Sequence, residues 1–127
     1  MNDNKKNISR IEQYFDELLK GMDNVFFGTL PTPQIEWETM VLVDCGNAIN
    51  DLSAYSNGVV LVYLYARPID EVKNHAALNK LEEQLNERLK TYKSPDGYIS
   101  SISWKESDYD EAKRLHCVVV ALNLLIV

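Results

Sequence analysis

Apolar and polar positions follow two periods along this 127-residue chain, and the alternation between them marks out the elements. Ile11, Tyr14, Phe15, Leu18, Leu19 and Met22 recur at steps of three and four, the single apolar stripe of an amphipathic helix. Ser9-Arg10-Ile11-Glu12 reads as a capping box, in which the hydroxyl and the carboxylate satisfy orphan backbone donors reciprocally, with Ile8 placed for a hydrophobic staple. Gly21 supplies the stop. A second helix is expected from Asp70 or Asn74 to Tyr92. It has Leu78, Leu81, Leu85, Leu89 and Tyr92 on one side and Lys80, Glu83, Glu87 and Lys90 on the other.

Between and after the helices the period shortens to two. Val25-Phe26-Phe27 is a short strand, cut by Gly28 and followed by the stiff connector Leu30 to Gln34 with its two prolines. Thr39 to Cys45 and Val59 to Ala66 are β-branched and apolar. The stretch between them, Gly46 to Gly58, is a long polar loop carrying Asn47, Asn50, Asp51, Ser53, Ser56 and Asn57. Ser94-Pro95-Asp96-Gly97 is a turn, with proline at the first corner and glycine where positive φ is tolerated. Tyr98 to Glu106 reads as a strand with Tyr98, Ile102 and Trp104 on one face, and Ser107 to Asp110 as an acidic turn. The last strand begins near Lys113. Its run from His116 to Val127 is apolar on both alternating faces, so it must be covered on two sides, by its own fold or by neighbouring copies.

The order is therefore α-β-β-β-α-β-β. The economical architecture is an α+β domain: a mainly antiparallel sheet with two helices packed on one face, closing in a hairpin around Ser107 to Glu111.

Hydrophobic residues make up 46% of the sequence, enough for one core, and residues 1–127 are read as a single domain. Met1 to Asn7 lack an apolar anchor and are expected to be disordered. A net charge of -6, with Lys5-Lys6 and the Lys90, Lys93 pair as the densest basic spots, argues against specific nucleic-acid binding. Cys45 and Cys117 lie far apart with no CxxC, which points to two buried thiols in a reduced compartment. No apolar run follows the charges of the N-terminal residues, and the final apolar run is too short for a membrane helix, so neither a leader nor a membrane partner is expected.

No legible catalytic constellation accompanies these elements. Nucleophilic catalysis requires a base beside the nucleophile, and only His75 and His116 are available. His116 and Cys117 are strand neighbours and point to opposite faces. Asp44 and Asp51 bracket the polar loop, and a solvated acidic rim accounts for them. Asp108, Asp110 and Glu111 lack the glycine and closing glutamate of a calcium loop. The five glycines form no phosphate cradle. Tyr63 and Tyr65 share a strand face without the flanking basic residues of an RNA platform. No catalytic, cofactor or metal residue is assigned.

The run Ile11 to Met22, then Asn24-Val25-Phe26-Phe27-Gly28, Met40-Val41-Leu42-Val43-Asp44 and Gly58 to Ala66, followed by a helix and a terminal strand pair, resembles the bacteriophage tail-completion proteins. These are the tail terminators and head-to-tail joining proteins, which form rings where tail meets head. The likeness covers Ser9 to Val127 and rests on element order and strand pattern. It implies a non-enzymatic structural role in virion assembly, cytoplasmic during assembly and then in the tail or neck. The implied partners are further copies in a ring (a hexamer for a tail terminator) and tail-tube or neck proteins. Asn47, Asn50, Asp51, Ser53 and Tyr55 are then candidates for an interface or lumen loop, and Tyr63, Tyr65, Val120, Leu122 and Leu124 for subunit contact. The contrasting reading from the residues is a bacterial module that binds a protein or small ligand in the sheet concavity.

Overall fold

A computed structural model describes residues 3–29, 37–46, 57–70 and 72–126, without the side chains of 3–9, 57 and 126. Helix α1 spans Asp3–Leu18, followed by strands β1 (Val25–Phe27), β2 (Thr39–Asp44) and β3 (Asn57–Ala66). Helix α2 (His75–Thr91) then leads to β4 (Tyr98–Asp110) and β5 (Leu115–Ile126). The class and element order are the expected α+β and α-β-β-β-α-β-β. The five strands lie in the order β1-β2-β3-β5-β4. Only β1 and β2 run parallel; the other three pairings are antiparallel.

Both helices cover the same face. Ile11, Tyr14, Phe15, Leu18 and Leu19 of the first stripe join Leu78, Leu81 and Leu85 of the second over Val41, Val43, Val60, Val62, Leu64, Val118, Val120, Leu122 and Leu124. Burial of two helical stripes on one apolar sheet face is the main driving force for the fold.

Helix α1 begins at Asp3, not at a capping box on Ser9, which lies inside the helix. Once the apolar stripe has nucleated the helix, each added residue gains a hydrogen bond for little entropy, so the polar turn upstream extends it. The Ile8 staple falls on a side chain outside the description. The stop is as read: Gly21 takes φ +97°, a conformation that favours glycine. The last carbonyls of α1 are satisfied from α2, because Arg88 donates from Nε to the Leu18 oxygen at 2.7 Å and from Nη2 to the Glu17 oxygen at 2.8 Å. Arg88→Ala is therefore expected to cost about 1.5–3 kcal/mol, the range for hydrogen bonds to a charged group. Urea unfolding measures it; a loss no larger than a surface substitution would mean that the two helices are not locked together by this side chain.

Asn74, 5% exposed, caps α2 with its Oδ1 accepting from the Ala77 backbone N–H at 3.2 Å. The helix thus starts at the later of the two positions expected. The Ser94 to Gly97 turn is present, with the Gly97 N–H donating to the Ser94 oxygen at 3.3 Å and Gly97 at φ +81°.

The β4–β5 hairpin departs from expectation in two ways. β4 continues through Ser107 to Asp110, and the turn falls at Glu111 to Arg114. The turn is held by Asp110, whose Oδ1 accepts from the Lys113 N–H and whose Oδ2 pairs with the Lys113 ammonium, both at 3.1 Å. Strand pairing with β5 overrides the turn character of the acidic residues. The second departure is a bulge: Ile102 pairs with Leu122 and Trp104 with Ala121, leaving Ser103 as the extra residue. Tyr98 and Ile102 therefore face the helices while Trp104 lies on the other face, so the three do not share a side.

Candidate functional site: the open sheet face and its long edge

The face opposite the helices is built from the second set of alternating residues. Met40 and Leu42 of β2, Tyr65 of β3, and Leu115, Cys117 and Val119 of β5 form its buried centre, with Phe26, Trp37, Leu61 and Tyr63 packed around them. Phe26 and Trp37 rings meet at 5.2 Å, and Tyr63 and Tyr65 stack at 6.1 Å with an interplanar angle of 14°. No described helix covers this face. At one end Val59, Ile99 and Leu125 are exposed, and Trp104 is 46% exposed nearer the middle. A strand pairing places these side by side, since Ile99 lies opposite Leu125 and Trp104 opposite Ala121.

The bulge decides the electrostatics. Beyond Ser103 the parity of β4 changes, so Glu106, Asp108 and Asp110 follow Trp104 onto the open face, and Lys105 turns to the helices, where it meets Glu82 of α2 at 3.0 Å. Cys117 reports the consequence: burial pushes its thiol up from 9.0 to about 11, and the charges of Asp108 and Asp110 add to the shift against a smaller opposing effect from Lys113 and Lys73. Burial likewise raises the Tyr63 phenol, helped by Asp44 and Asp108, and Tyr65 is raised by burial first and then by Cys117 and Asp110. Burial works against ionisation of Asp110, but the Lys113 ammonium and backbone hold its carboxyl below the ordinary value.

The residues weighed for catalysis are dispersed. Asp44 ends β2 on the open face and its Oδ1 accepts from the Gly46 N–H at 3.0 Å. His116 lies on the helix side of β5, its ring 4.7 Å from that of Tyr109. The sheet separates it from Asp44 and Cys117. His75 is exposed at the start of α2. Burial also lifts the Cys45 thiol to about 11, with Glu12 and Asp44 adding to it, so burial opposes thiolate formation at both cysteines. Among the described residues no group of three or more His, Cys, Asp or Glu is placed to hold a metal ion. The clefts on the helix side include one of about 460 Å³ lined by Tyr14, Leu89, Tyr92 and Tyr98, in which the Tyr14 hydroxyl lies 2.6 Å from Ser100 Oγ.

No protein-family model and no curated protein matches the chain. No helix among the described residues is long and apolar enough to cross a membrane.

Of the residues expected at subunit contacts, Val120, Leu122 and Leu124 are buried beneath the helices. A neighbouring copy cannot reach them without displacing α1 and α2. Tyr63 and Tyr65 are on the open face, Tyr65 buried and Tyr63 half-buried. The stretch with Asn47, Asn50, Asp51, Ser53 and Tyr55 lies outside the described residues. Val59, Ile99, Trp104 and Leu125 carry no sequence signal as a group, because they share a face only through strand pairing; Val59 and Leu125 lie within apolar runs, and Trp104 alone stands between two polar residues, Ser103 and Lys105.

Proposed function

We propose that this protein is a non-enzymatic subunit of a phage or prophage virion-assembly ring, at the tail terminus or the head-tail junction. The observation that supports this reading most is the asymmetry of the sheet. One face is sealed by both helices, and the other keeps Val59, Ile99, Trp104 and Leu125 exposed around a packed apolar centre. An uncovered apolar face of that kind suits contact between protein surfaces, and a head-to-tail contact that closes on itself makes a ring. The dispersal of His116, Cys117 and Asp44 over two sheet faces supports a structural role over a catalytic one. The acidic balance suits a ring lumen along which DNA passes without adhering.

Native mass by light scattering over a wide concentration range tests the reading. A discrete assembly should grow in with concentration, and the double substitution Val59→Lys, Leu125→Lys should abolish it while leaving the circular dichroism spectrum unchanged. A single-subunit mass at every concentration, or an assembly indifferent to those two changes, would count against it.

A further inference from the structure

The outer edge of β4 is separate from the apolar end of the open face. β4 is a 13-residue strand at the margin of the sheet, exposed from Ser101 to Tyr109, and no described strand pairs with its outer side. A long unpaired edge offers a row of main-chain donors and acceptors, which proteins ordinarily blunt or use. The short opposite edge, β1, has three residues and offers little.

We propose that the 104–110 half of β4 receives an extended segment of another protein that carries basic side chains at alternate positions. The bulge at Ser103 aligns Glu106, Asp108 and Asp110 along one face, one strand-repeat apart, with Trp104 at the head of the row. Asp110 is already engaged by Lys113, and Asp108 Oδ1 accepts from the Tyr109 N–H at 2.8 Å, a contact an added strand would replace; neither Glu106 nor Asp108 forms an ion pair with a described residue. An added strand with Lys or Arg at every second residue sets each cation directly across from one of these carboxylates, the closest pairing a sheet allows. Its main chain meanwhile completes the edge.

The same row excludes a second copy of this edge. Residues directly opposite in a sheet share a face, so two β4 edges overlapping in this half bring Glu106, Asp108 and Asp110 against one another. The net charge of -6 adds to that repulsion. The inference goes beyond ring assembly and stands whether or not the subunits form one, because it concerns a different partner and, Trp104 apart, a different part of the sheet.

Isothermal titration with the capped peptide Val-Lys-Thr-Lys-Thr-Lys-Thr, run on the full chain, tests it. Binding should be about 10-fold tighter than for the counterpart with Glu in place of Lys, the sum expected for three cross-strand charge pairs. Glu106→Lys with Asp108→Lys should reverse that ranking. Glu83→Lys with Glu87→Lys, the same change of net charge on the exposed side of α2, should leave it in place. N-methylation of alternate peptide amides should abolish binding to the unmodified protein, which tests strand addition without any risk to the fold. No binding of the Lys peptide at millimolar concentration, equal effects of the two double substitutions, or indifference to N-methylation would each overturn the proposal. Either of the last two would assign the binding to net charge alone.

Discussion

Phe15→Ala is expected to cost about 3–5 kcal/mol, a large share of the roughly 5–15 kcal/mol by which a domain of this kind is stable. Phe15 is fully buried, its ring packs edge-on against Tyr14 at 5.0 Å, and it belongs to the cluster that joins α1 to the sheet and to α2. Truncation removes the largest fully buried side chain of the α1 stripe and leaves a cavity beside β-branched strand residues that have little freedom to collapse inward. Denaturant unfolding should show a lower midpoint at unchanged slope, since the same surface is exposed on unfolding. A loss below about 1 kcal/mol would mean that α1 is not docked on this face.

The second large effect is alkaline. Six groups, Tyr14, Cys45, Tyr63, Tyr65, Tyr98 and Cys117, have folded-state values raised by burial above their ordinary ones. A raised acid favours the folded state fully below its unfolded value, and that contribution is lost as pH climbs toward the folded value. For the thiols the window runs from 9.0 to about 11. Cys117, 2% exposed, should alone contribute a loss on the order of 2 kcal/mol across it. Melting temperature should be flat to pH 9 and then fall steeply, and Cys117→Ala should be less stable at neutral pH but flatter above pH 9. An unchanged melting temperature at pH 10.5 would refute the burial of these groups. Asp110 behaves in the opposite sense: its lowered value gives a small contribution that is present above the ordinary carboxyl range and lost on acidification.

Where a segment is buried on at least one side, its residues announced it. The stripe from Ile11 to Met22 and the leucines of α2 specify helices facing a sheet, because a three-to-four spacing of apolar residues has no other way to leave water. The apolar runs of β3 and β5 specify central strands for the same reason, and both are central. Legibility failed at the edge. β4 is exposed over most of its length, so no burial pattern polices its parity, and the serines around Ser103 carry no face preference that would betray a bulge. Trp104 therefore lies across the sheet from Ile102 despite its even spacing, and Ser107 to Asp110 form strand where their composition reads as a turn.

By itself, then, the sequence determined the class, the element order and the apolar helix stripes that enter the core, since those follow from hydrophobic period and from local breakers at Gly21 and Pro95 to Gly97. Only the tertiary structure decided what faces outward. Which of the two apolar sides of β5 lies beneath the helices, where Val59, Ile99 and Leu125 meet, and that Glu106, Asp108 and Asp110 form one row beside Trp104 are all set by strand register. Register is a relation between segments far apart in the chain, fixed by pairing geometry and one inserted residue, and no local pattern contains it.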